Sequence, residues 1–215
     1  MISLMTQPRT YKYIFEGAEL VGKSSLALAL HTYLLECQTD FHKSLADCNF
    51  MDCDTGLFST PLSTKYLFYM GKIFTLLRDT NIVVDKFHLS DTLYHELFHH
   101  KEVIHTKIEK KMLRPLGFSI ILVTLPEDLF LERYEKRIKQ RNITKYGYPQ
   151  RPFEFYLAQQ KLFQKLIQKT LLPHLIIDGS LPIEENLRHI ISAEEIPMIG
   201  TDESLLAKIQ EFLVK

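Results

Sequence analysis

The chain has 215 residues, 26 basic and 26 acidic side chains, a formal net charge of zero, 46% hydrophobic residues and only 8 Gly and 9 Pro. That composition excludes disorder and collagen-like structure, and a chain of this size buries about 70% of the surface its unfolded form exposes without needing staples. Balanced charge gives no general electrostatic footprint for nucleic acid or an anionic membrane, although local patches can still bind phosphate.

A single domain spanning residues 1–215 is expected. The three cysteines, Cys37, Cys48 and Cys53, are odd in number and lack CxxC spacing, so they read as reduced thiols. Met1–Tyr11 has no apolar core of a signal peptide, and no run approaches 18 uncharged apolar residues. A cytoplasmic protein that spans no membrane is the expectation.

In chain order, apolar runs alternate with longer amphipathic stretches, as in an α/β fold with a parallel sheet between helices. The strands expected are Lys12–Glu16, Asn49–Asp52, Ile82–Asp85, Phe118–Thr124 and His174–Asp178. The last three are near-continuous apolar runs ending in a polar residue, the pattern of strands buried on both faces. Helices are expected over Lys23–Cys37, Ser63–Arg78, Ser90–Phe98, Lys101–Leu113, Glu127–Arg141, Pro152–Lys169, Ile183–Ser192 and about residues 203–214. Start signals include Ser63, Pro126-Glu127-Asp128 and Asp202-Glu203-Ser204.

The segment Gly17-Ala18-Glu19-Leu20-Val21-Gly22-Lys23-Ser24 matches G-x-x-x-x-G-K-[ST] in full, between an apolar strand and an Ala/Leu-rich helix. A loop of that length turns successive backbone N–H groups inward as an anion nest, and the helix that follows aims its positive end at the same point. Lys23 then reaches the β- and γ-phosphates of ATP, the Ser24 hydroxyl joins Mg²⁺, and Ser25 adds a donor. Asp85, at the end of an apolar strand, supplies the carboxylate that a magnesium site needs.

At Asp85-Lys86-Phe87-His88-Leu89-Ser90-Asp91 the chain resembles the DR-[YF]-x-x-S-[DE] stretch of thymidylate kinases and related nucleotide kinases. Phe15-Glu16-Gly17 resembles that family's FEG entry into the loop, and Leu67-Phe68-Tyr69-Met70-Gly71-Lys72 its LLFAADR helix. Ile177-Asp178-Gly179-Ser180 with Ile183-Glu184-Glu185 resembles its closing ID-[AG]-S segment, so the resemblance spans Tyr13 to Ser192. It implies a three-layer P-loop kinase fold with five parallel strands and an arginine-bearing lid. Phe68 would stack on the acceptor base and Lys72 would hydrogen-bond its edge, unless Phe68 is simply core. Glu19 would sit near the acceptor sugar, and Lys86 would hold the acceptor phosphate.

Lys72 and Lys86 stand where the family has Arg, which keeps the charge and loses the planar fork. Asp52-Cys53-Asp54-Thr55-Gly56 occupies the place of the family's EPGGT segment with different chemistry. Asp52 or Asp54 is either a turn former or a base toward a hydroxyl, the role of the acid after the second strand in deoxynucleoside kinases.

The basic stretch of residues 133–151 is a solvated helix face or a lid. Arg133, Arg137 and Arg141 recur at i, i+4 and i+8, and with the phosphate loop upstream the lid reading leads, Arg137 and Arg141 being the catalytic candidates. The histidines at 88, 95, 99, 100 and 105 read as a polar helix surface rather than a zinc site. The expectation is an ATP- and Mg²⁺-dependent transfer of the γ-phosphoryl group to a small nucleotide, a nucleoside monophosphate. The alternatives are a deoxynucleoside acceptor, a non-nucleotide acceptor, and a module that binds nucleotide without transfer. Homodimers are common in the family resembled, which makes pairing an expectation too.

Overall fold

The computed structural model describes residues 9–40, 48–141 and 151–196. Five strands, β1 Lys12–Glu16, β2 Cys48–Asp52, β3 Asn81–Asp85, β4 Phe118–Thr124 and β5 His174–Asp178, form one parallel sheet in the order β2-β3-β1-β4-β5. The helices are α1 Lys23–Asp40, α2 Ser63–Leu76, α3 His88–His99, a short α4 Thr106–Ile108 running into a π-helical turn Glu109–Leu113, α5 Glu127–Arg141, α6 Phe153–Ile167 and α7 Ile183–Ala193.

Alternate strand residues feed two separate cores. Tyr13, Phe15, Val83, Ile121, Val123 and Ile177 pack with α1, α7 and Phe130 on one face. Ile14, Ile82, Val84, Ile120 and Leu122 pack with α2, α3 and the later turns of α6 on the other. Burial on both faces is why β3 and β4 read as unbroken apolar runs. The fifth strand departs from that expectation: β5 is an edge of the sheet, and its Ile176 is 46% exposed.

Several helices differ from their sequence reading for identifiable reasons. α3 begins at His88 rather than Ser90 because the buried Glu16 carboxylate accepts the Phe87, Leu89 and Ser90 backbone N–H groups and the Ser90 hydroxyl, satisfying donors a helix start leaves open. The helix expected over Lys101–Leu113 forms only from Thr106, since α3 ends in a left-handed His100 and His105 turns inward to bond Asp91. Ser63 does not cap α2; Leu62 holds that position, and the Ser63 hydroxyl lies 3.3 Å from His95 Nε2 instead. α2 stops at Leu76 and α1 runs on to Asp40. The segment 142–150, the side chain of Arg141 and the helix expected near 203–214 lie outside the described residues.

The connection from β1 runs toward the β2 edge of the sheet and that from β4 toward the β5 edge, so β1 and β4 flank the point where the winding reverses. Ligands of open α/β sheets bind beyond the carboxyl ends of strands at such a point.

Candidate active site

The phosphate loop fills this crevice. A Cβ on Gly17, whose φ is +149°, would lie 2.5 Å from the Val123 carbonyl oxygen of β4, so glycine is required at the loop's root. Gly179, after β5, is constrained in the same way, because a Cβ there would meet the Val21 carbonyl oxygen and the Val123 side chain. Leu20 has a φ of +77°, a left-handed conformation uncommon for a side chain of its size. The loop is therefore wedged between β4 and the β5–α7 turn.

A cavity of about 890 Å³ opens over the loop and is lined by Ala18, Glu19, Leu20, Gly22 and the Lys23-Ser24-Ser25 start of α1. Gly17 and Val21 lie beneath it, in the loop's packing against β4 and Gly179. Ser24 and Ser25 are exposed, whereas Lys23 is buried and forms an ion pair with Asp85, both side chains being about 5% exposed. Asp85 thus reaches the cavity through Lys23.

The far side of the cavity is made by Lys86, Asp54 and Gly56. Lys86 has a φ of +61° and pairs with the Asp54 carboxylate. Burial alone would lower the Lys86 ammonium, but Tyr94, Asp54 and Glu19 outweigh it and hold its pKa above the ordinary lysine value. Asp52 accepts the Asp54 backbone N–H at 2.9 Å, so of the two aspartates Asp52 forms the turn and Asp54 faces the cavity. Tyr94, whose hydroxyl burial pushes up to about 12 against the pull of Lys86, lies in the same charged group, with Phe98 stacked on its ring at 5.6 Å. Sequence reasoning missed it; its place nine residues after Asp85, two turns into α3, was the available signal.

Phe68 and Lys72 do not line this cavity. They lie on the outer face of α2, where Phe68 is 44% exposed, so it is not core, and the Lys72 ammonium sits 4.8 Å from its ring centroid.

The three lid arginines divide. Arg133 donates from Nη1 to the Leu20 carbonyl at 3.1 Å and from Nη2 to the Gly179 carbonyl at 2.6 Å, tying α5 to the phosphate loop and to the β5–α7 turn. Arg137 lines the cavity together with Lys136 and Arg133, and unlike Arg133 it is not tied to the loop's carbonyls. From α6, Gln159 accepts the Glu19 backbone N–H at 3.0 Å, and Gln160 exchanges two bonds with the Leu125 backbone.

The histidines are not one polar surface. His88 is buried and donates from Nε2 to Glu109 at 2.8 Å, while His105 is buried and donates to Asp91 at 2.7 Å. Both lie under the helix layer because a carboxylate waits there, a pairing that no sequence spacing advertises. Among the described residues no group of three or more His, Cys, Asp or Glu side chains is arranged to hold a metal. Ser24 and Asp85 offer the hard oxygen donors that suit Mg²⁺ held jointly with substrate phosphates. No helix among the described residues is long and apolar enough to cross a membrane.

No family model matches the chain, and no curated protein matches it either. Solved structures do. The YorR protein of Bacillus subtilis, determined in complex with phosphorylated GDP, is similar with a TM-score of 0.60 at 15% identity, over 86% of this chain and 96% of that one. Deoxyadenosine kinase from M. mycoides, determined with dCMP and dCDP, is similar with a TM-score of 0.50 at 14% identity, over 86% and 98%. At these identities the likeness establishes the fold: an α/β P-loop kinase fold with a five-stranded parallel sheet flanked by helices.

Proposed function

We propose that the chain is a phosphotransferase that passes the γ-phosphoryl group of ATP to a small nucleotide or nucleoside. The observation that supports it best is the convergence on one cavity of the loop Gly17–Ser24, Lys23 held on Asp85, and Arg137 on α5. The loop's inward amides and the start of α1 would cradle the polyphosphate, with Lys23 moving from Asp85 to the β- and γ-phosphates. Ser24 and the carboxylate so released would hold Mg²⁺, which neutralises charge on the phosphates when bound. Arg137, with Arg141, would balance the charge on the migrating group while water is kept out.

The resemblance to thymidylate kinases points to a monophosphate acceptor, with Lys86 on its phosphate and Glu19 near its sugar; Phe68 and Lys72, the residues it gives to the base, lie outside the cavity on the outer face of α2. One observation favours a hydroxyl acceptor instead. Lys86 is already neutralised by Asp54 and has Glu19 beside it, so the acceptor mouth carries two carboxylates for one ammonium. These carboxylates compete with an acceptor phosphate for Lys86 and suit a neutral sugar, for whose hydroxyl Asp54 would be the general base.

The test is an ADP-release assay with ATP and Mg²⁺ across nucleosides and nucleoside monophosphates. Turnover with one class and not the other assigns the acceptor. No turnover above the Lys23→Ala background with any of them refutes the phosphotransfer reading in favour of a binding module.

A further inference from the structure

Three side chains of α3 at i, i+4 and i+8, Asp91, His95 and His99, share one helix face and all grip the same corner of the chain. Asp91 is fully buried and accepts the Ser59 backbone N–H at 2.7 Å, its other oxygen taking the bond from His105. His99 donates from Nε2 to the Ser59 carbonyl oxygen at 2.9 Å. His95 Nε2 lies 3.3 Å from the Ser63 hydroxyl, four residues on.

Ser59 has a φ of +56°, which a serine holds only where its surroundings over-determine it. Here both polar groups of that one residue's backbone are engaged by α3, so the turn is clamped from two sides. The loop anchored there, residues 53–62, sends Asp54 and Gly56 into the cavity and lays Phe58 on Tyr94, with ring centroids 6.4 Å apart.

We propose that Asp91, His95 and His99 are positioning residues that clamp the Ser59 turn and thereby place Asp54 opposite the phosphate loop. The clamp itself is a property of the fold; its effect on turnover rests on the phosphotransfer reading. None of the three lines the cavity, so each acts through the loop. The charged neighbours of the clamp are Lys101 and His105, both of which bear on His95, and His105 is itself bonded to Asp91.

The experiment is amide hydrogen exchange on the full chain, for the wild type, His99→Ala and Asp91→Asn, with ATP affinity and acceptor KM measured on the same preparations. His99 is exposed, so His99→Ala folds even if the buried Asp91→Asn does not. Exchange in peptides covering residues 54–62 should rise about tenfold or more, as expected from losing one such bond, while peptides covering residues 17–30 keep their rates. The ATP Kd should stay within about twofold and acceptor KM should rise. Unchanged exchange over 54–62 in His99→Ala overturns the clamp, and so does an equal rise along the whole chain, which would mark general destabilisation. A wild type that transfers no phosphoryl group refutes the phosphotransfer reading, and the exchange pattern still decides the clamp.

Discussion

Lys23 of the phosphate loop and Asp85 at the end of β3 form a buried ion pair that joins the two residues proposed to contact phosphate and metal. Each is the other's compensation, since an isolated charge at that depth is costly. Lys23→Ala should therefore cost about 3–5 kcal/mol of stability, because Asp85 is left buried and unpaired. The double variant Lys23→Met/Asp85→Leu should recover most of that loss while remaining unable to transfer phosphate. Urea unfolding beside ADP release checks both halves, and an equally unstable double variant would speak against the coupling.

Asp54 separates the two acceptor classes. If the acceptor is a hydroxyl, Asp54→Asn should lower kcat by about 10²–10⁴, the range for loss of a general base. If it is a monophosphate, the same change frees Lys86 and should lower the acceptor KM. Steady-state kinetics with each class gives opposite signs.

Arg133, from the cavity wall, and Gly179, from behind the loop, hold the phosphate loop in place. Gly179→Ala should force the Val21 carbonyl away and weaken ATP binding about tenfold or more. Arg133→Ala should likewise raise the ATP Kd, whereas Arg137→Ala should lower kcat with a smaller effect on binding. Calorimetric titration with ATP beside kcat measurements distinguishes these patterns.

Asp91 and Glu109 set an acid limit. Burial alone would raise both carboxyls, but for Asp91 the bonds from His105 and Ser59, with the charges of His105 and His95, hold the pKa below its usual 3.8. For Glu109 the bonds from His88, Leu171 and Thr170 do the same relative to 4.5. A depressed native pKa contributes stability that is present above the unfolded value and is lost as pH falls through the native one. The melting temperature should thus fall steeply below about pH 4.5, and Glu109→Gln should lie lower at pH 7 but vary less between about pH 5 and 3.

Much of the architecture was legible because it rests on local patterns. All five expected strands form and pair in one sheet, β1, β3 and β4 are buried nearly along their length, and Gly17–Ser24 carries its chemistry in its spacing. What escaped depends on distant partners. Glu16 lengthens α3 from another strand, Asp91 draws His105 out of a helix, and Glu109 bonds His88 through a π-helical turn that no periodicity marks. Arg133 looks like Arg137 in sequence and lines the same cavity, but the nearby Leu20 and Gly179 carbonyls engage its guanidinium.

The Glu16 cap at one end of α3 and the Ser59 grip along its flank give that helix a further consequence. A hydrogen-bonded rod does not stretch, so α3 works as a calliper whose one jaw is the root of the phosphate loop and whose other jaw carries Asp54. Its gauge is counted in residues. One alanine inserted after Thr92 would swing His95 and His99 by about 100° and open the calliper without changing the identity of any cavity-lining residue.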